Sequence, residues 1–166
     1  MSSKNPEVGL TRPSTLILGW GNLSRGDDGL GPCFVAGLHA QLPAHLRNQV
    51  EFLEDYQLQV EHALDLTGRR RVLFVDASLT CVPPFEAHAI HPRRDVSYTS
   101  HALSAEALLQ VFVDVEGSAP PASTLLGIRG EAFELGGSMG EAAESHLAAA
   151  LAWGLEWVTE GADEAD

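Results

Sequence analysis

Asp27 and Asp28 stand side by side in a loop that also carries five glycines, Gly19-Trp20-Gly21-Asn22-Leu23-Ser24-Arg25-Gly26-Asp27-Asp28-Gly29-Leu30-Gly31. A third acid, Asp76, closes the apolar run Val72-Leu73-Phe74-Val75. Carboxylates gathered in one crevice raise at least one pKa unless a cation compensates, so they either share protons or bind a metal. Singly, each acid has a plainer use as a helix cap or turn residue, and one of the Asp27–Asp28 pair is expected to cap the helix that follows. Of the seven histidines, His101 sits in a loop just before a helix, where strand ends meet helix starts. His39, His62 and His146 fall in helical segments, His45 in a surface loop, and His88 and His91 in an edge strand. Two carboxylates and one imidazole make an oxygen-rich site with open positions. The chain has no His-Glu-x-x-His helix, and neither Cys33 nor Cys81 has a motif-placed histidine partner.

The glycine loop also invites a nucleotide reading. Its third glycine comes two residues late for a dinucleotide fingerprint, and the Asp pair lies where a pyrophosphate would approach. Phosphate and carboxylates repel, so a metal or a polar peptide is the better guest.

The elements that must hold these residues alternate. Leu16–Leu18 reads as a short buried strand. Leu30, Phe34, Leu38 and Leu42 recur every fourth residue along one helix face, with Pro32 in its first turn. Residues 50–53 give a second strand. Leu58–Leu66 gives a helix with Val60, Ala63 and Leu64 inward and Gly68 as its stop. Arg69-Arg70-Arg71 reads as a solvated lead to the central strand Val72–Asp76. Phe85–Ile90 is an edge strand free to run antiparallel after Pro83-Pro84. Ser104 caps a helix to about Phe112, and Ser123–Ile128 is the fifth strand. Ser138-Met139-Gly140-Glu141 has capping-box spacing before a helix with Leu147, Leu151, Leu155 and Val158 inward. Strands alternating with helices give an α/β fold, a three-layer α/β/α sandwich. Residues 1–14 form a flexible lead, 15–158 one domain, and 159–166 an acidic disordered tail.

Composition narrows the partners. A chain of 166 residues, 45% hydrophobic and 20% charged, suits a single globular domain. A net charge of −13 argues against nucleic acid and anionic membranes, and leaves a metal or a basic peptide open. Two distant cysteines give no zinc ribbon or disulfide framework. No apolar stretch is long enough to span a membrane or lead secretion, so the expected location is cytoplasmic.

The glycine loop, the strand Leu73-Phe74-Val75-Asp76-Ala77 and the loop Ser100-His101-Ala102-Leu103-Ser104 together resemble the hydrogenase maturation endopeptidases. Leu125-Leu126-Gly127-Ile128-Arg129-Gly130, followed by Phe133-Glu134-Leu135-Gly136, is similar to a late motif of that family. The resemblance spans residues 15–158. It implies a five-stranded, mostly parallel sheet of order 2-1-3-5-4 with strand 4 antiparallel. It also implies an endopeptidase that trims the C-terminal extension of a nickel–iron hydrogenase large-subunit precursor after nickel insertion. By motif, Asp28, Asp76 and His101 are the metal-contacting and catalytic residues, reading nickel that the substrate carries, in a monomeric protease. Many members have Glu where Asp28 stands and Gly-Gly-Thr where this chain has Glu54-Asp55-Tyr56-Gln57. The latter variant resembles the branch serving soluble NAD-reducing hydrogenases. Whether a carboxylate activates water or the metal polarises the carbonyl stays open at this level. The rivals are a non-catalytic nickel-binding assembly factor and a nucleotide-binding domain.

Overall fold

The apolar runs became strands, and the two central ones, residues 16–18 and 72–75, are covered on both faces. The computed structural model describes residues 12–94 and 102–163. In chain order the elements are β1 (Thr15–Trp20), α1 (Leu30–Gln41), β2 (Val50–Asp55), β3 (Arg71–Ser78), β4 (Phe85–Ile90), α2 (Ala105–Glu116), β5 (Ala122–Arg129) and α3 (Glu141–Asp163). The sheet order is β2-β1-β3-β5-β4, with β4 antiparallel to β5 and the other pairs parallel. Order and orientation are those expected. Thr15 lies opposite Arg71, and Gly19 opposite Val75, so the ends of β1 and β3 are neighbours.

Side chains alternate across the sheet with a period of two. Ile17, Leu73 and Val75 pack with α1 and α3 on one face. Leu16, Leu18, Val72 and Phe74 pack on the other face with Leu108, Leu109 and Phe112 of α2. Removing each such side chain from water is worth about 1.5–3 kcal/mol, which makes these two layers the main support of the sheet. The fourfold stripe of α1 is buried as predicted, with Leu30, Phe34 and Leu38 at 0% exposure and Leu42 at 2%. Ser104 caps α2 by accepting the Ala107 N–H at 3.1 Å, and Gly117 ends the helix in the left-handed conformation.

Five local expectations are corrected. Between β2 and β3 the chain coils as a 3-10 helix over Val60–Leu66 rather than an α-helix. Three residues per turn align Ala63 with Leu66 and turn Leu64 outward. Leu58, Ala63 and Leu66 are buried, whereas Val60 and Leu64 are 55% and 61% exposed.

The arginines before β3 are engaged rather than solvated. Arg69 is buried and pairs with Glu51 at 2.6 Å, while Arg70 donates to the Gly161 carbonyl. Arg71 lies 3.4 Å above the Trp157 ring and also donates to the Trp157 carbonyl. The Gly161 carbonyl is one that a helix C-terminus leaves without an intrahelical partner, and Arg70 meets it. As a result α3 continues to Asp163, into the segment expected to be a disordered tail. The expected lead is also tied down at its end, because the Ser14 carbonyl accepts the N–H groups of Arg70 and Arg71.

Finally, α3 starts at Glu141, later than a cap at Ser138 would place it. Its fully buried line is Ala143, Ala150, Gly154, Val158 and Gly161, with Leu147, Leu151 and Leu155 packed beside it. Small residues let the helix lie close to Phe34 and Leu38 of α1.

Candidate active site

The loop after β1 depends on two glycines for different reasons. Gly21 has φ +151°, and a Cβ there would lie 1.9 Å from the Asp28 carbonyl oxygen. At Gly31 a Cβ would meet the Trp20 and Val75 carbonyl oxygens at 2.4 and 2.8 Å. The start of α1 therefore rests directly on the ends of β1 and β3, with no room for a side chain. Between the two, a 3-10 turn over Gly26–Gly29 carries both acids of the pair.

Those adjacent acids diverge. Asp27 is 2% exposed. Its Oδ2 accepts the N–H groups of Glu131 and Ala132 at 2.8 and 2.9 Å, and its Oδ1 accepts that of Gly140 at 2.9 Å. Main-chain bonds run alongside, from Gly26 N to Gly137 O and from Asp27 N to Ala132 O. Burial raises the Asp27 pKa, but the three N–H groups and the nearby His146 outweigh it and leave the carboxyl below its ordinary value. The expected cap is thus found on the connection between β5 and α3, not on α1, which has no side-chain cap.

Asp28 is half-buried, and its Oδ2 accepts the Asn22 N–H at 2.9 Å. The Asn22 side chain in turn donates to the Tyr56 hydroxyl at 3.0 Å. Asp76 leaves the sheet at the end of β3, where its Oδ1 accepts the Ala77 N–H at 2.8 Å. Burial is the main cause that pushes its pKa up to about 7, and the charge of Asp28 adds to it. The Ala77 N–H and a hydrogen bond from the Trp20 side chain pull the other way without offsetting it. The two acids therefore feel one another, as their places at adjacent strand ends require.

His101 lies outside the described residues. Its successors Ala102, Leu103 and Ser104 line a cleft of about 510 Å³ together with Asp76, Trp20 and His88. Among the described residues no three His, Cys, Asp or Glu side chains are grouped so as to hold a metal ion. His88 and Glu86 were passed over in the sequence as edge-strand residues. They share one face of β4, and the antiparallel return of that strand beside β5 brings both to the cleft. Period-two spacing within Phe85–Ile90 was the signal available for them. Both cysteines are free; Cys81 is buried, and burial together with the Glu54 charge raises the Cys33 thiol above its ordinary pKa.

Solved structures share this fold. The hydrogenase maturating endopeptidase HybD of E. coli superposes with a TM-score of 0.69 at 24% identity, over 89% of this chain and 93% of that one. The maturation protease HycI of Thermococcus kodakarensis gives 0.68 at 20% identity, over 90% and 93%. A hydrogenase 2 maturation peptidase from a Thaumarchaeota archaeon gives 0.60 at 26% identity, over 87% and 97%. This chain has the fold of the hydrogenase maturation proteases. No protein-family model matches the sequence, and no curated protein matches it either. The resemblance to the maturation proteases is borne out by the shared fold, and Asp28 and Asp76 stand at the carboxyl ends of its strands, where open α/β sheets bind ligands. No described helix of this maturation-protease fold is long and apolar enough to cross a membrane.

Proposed function

We propose that this protein is the endopeptidase that removes the C-terminal extension of a nickel–iron hydrogenase large-subunit precursor after nickel insertion. The observation that carries the reading is the likeness of the whole fold to maturation proteases, with Asp28 and Asp76 placed together at neighbouring strand ends. In this reading Asp28, Asp76 and His101 contact the nickel that the substrate brings, and the cleft beside Asp76 receives the segment to be cut.

The chemistry follows from the state of Asp76. Without a cation its carboxyl is divided between protonated and ionised forms near neutral pH, its pKa being pushed up to about 7. A metal ion arriving with the substrate repays the desolvation of the carboxylate, so the proton leaves and both acids serve as oxygen ligands. The nickel then lends Lewis-acid character next to the scissile peptide, and water adds across the amide to give a new carboxylate and a new amine. The Glu54-Asp55-Tyr56-Gln57 segment favours a precursor of the soluble NAD-reducing type as the cognate substrate.

Incubation with a nickel-loaded large-subunit precursor, followed by intact-mass measurement, tests the reading. The expected outcome is loss of a C-terminal fragment, dependent on nickel in the precursor and abolished by His101→Ala. Nickel-dependent association with no mass change would instead establish a non-catalytic assembly factor.

A further inference from the structure

Apolar side chains left on the surface are not evenly spread. Among the described residues, Leu23, Tyr56, Leu79, Val82 and Leu135 are 61–77% exposed, and all five sit on connections that follow β1, β2, β3 and β5. Val60, Leu64 and Val115 are the remaining large apolar side chains with comparable exposure. The concentration is at the carboxyl end of the sheet, the end at which Asp76 stands.

These connections are held in place. Gly136 N–H donates to the Ser24 carbonyl, Arg129 Nη1 to the Cys81 carbonyl at 2.8 Å, and Asn22 Nδ2 to the Tyr56 hydroxyl at 3.0 Å. The apolar groups are therefore presented in fixed positions, which lowers the ordering cost of association.

Between Leu23 and Tyr56 lies a hollow of about 360 Å³, walled by Pro32 and bordered by Glu54 and Asp55. Asp55 is engaged by His62 at 3.2 Å and by the Tyr56 N–H. Glu54 is exposed and has no ion-pair partner among the described residues. Apolar walls with a free carboxylate at the mouth suit a side chain with an alkyl stem and a cationic head. An aromatic ring beside the stem adds a cation–π contribution. Glu131 and Glu134 extend the acidic character of this end, against a single exposed arginine, Arg25.

We infer that this end of the molecule is a docking surface for the folded body of its protein substrate. The facing surface of the partner is apolar and bordered by basic side chains, one of which seats in the hollow at Glu54. The inference rests on the proposed function for the identity of the partner, and it places recognition beyond the segment held at Asp76.

Steady-state processing of the nickel-loaded precursor tests it, with wild type, Leu23→Ser/Leu135→Ser, Glu54→Lys and, as a control on α2, Val115→Ser. Both surface variants are expected to raise KM about tenfold or more with kcat within about twofold, while the control stays at wild type. Raising salt from about 50 to about 500 mM should raise the wild-type KM, and do so less for Glu54→Lys. Melting temperatures close to wild type confirm that the variants are folded. A wild type that processes the precursor while both surface variants keep its KM overturns the docking surface. A wild type that leaves the precursor uncut overturns the function, and this partner with it.

Discussion

Asp27 and Asp76 are two carboxyl groups withdrawn from water at the same end of one sheet, and they reach opposite states. Asp27 receives three backbone N–H groups from the connection between β5 and α3 and is held ionised. Asp76 receives one backbone N–H and a bond from Trp20, faces the charge of Asp28, and is pushed up to about 7. Burial raises both but weighs far more on Asp76, and the supply of donors widens the difference. A carboxylate whose oxygens are fully met by the chain is a structural fastening. One left short of donors beside a second acid stores a demand for positive charge, which an incoming cation can meet.

The strongest test of this contrast is Asp76→Asn. The change keeps shape and removes the charge, so processing of nickel-loaded precursor should fall by at least about 100-fold. Stability should move the other way. The folded pKa of Asp76 lies above its unfolded value of 3.8, so its contribution is intact below that pH and is lost as pH rises towards about 7. The variant escapes this loss. Denaturation at acid pH should find the two proteins alike, and at pH above 7 the variant should be more stable by an amount on the order of 2 kcal/mol. A wild-type processing rate in this variant would remove Asp76 from the site.

Asp27→Ala should do the reverse. It strands the N–H groups of Glu131, Ala132 and Gly140 in a buried place, at a cost of about 2–4 kcal/mol in urea denaturation at neutral pH. Because the folded pKa of Asp27 is depressed, the wild-type advantage is present above the ordinary carboxyl range and disappears as pH falls through the folded value. A loss below about 0.5 kcal/mol would mean the fastening is ornamental. The smallest change is expected from His146→Ala. His146 Nδ1 lies 2.9 Å from the Arg129 carbonyl and its charge favours ionised Asp27, so stability should drop by about 1 kcal/mol while processing stays within about twofold of wild type.

What could be read from the sequence was what neighbours in the chain decide. The bounds of β4, the Ser104 cap and the buried stripe of α1 depend on local spacing and were read correctly. Strand order came from the motif resemblance, since alternation alone does not choose it. Asp76 was legible because an acid closing an apolar run marks a strand end. The partners of Asp27 were not, because they lie 104 to 113 residues away and meet it only after β5 has joined the sheet. The same holds for Arg69, whose charge looked solvated until the fold brought Glu51 beside it. His88 and Glu86 share a face by their period-two spacing, but that this face meets the cleft depends on β4 lying beside β5.

The contact of Arg70 with the last turn of α3 has a practical consequence. The helix has 23 residues and so runs about 34 Å, from Gly140 beside Asp27 to Gly161 beside Arg70 at the opposite pole. Thr15, where β1 begins, lies at that far pole as well, opposite Arg71. An affinity tag or surface anchor fused after Asp166, three residues beyond Asp163, therefore starts from the far side from the cleft. Captured on a sensor chip in that way, the protein presents its acidic, apolar loops to the flowing solution, free for a partner to approach.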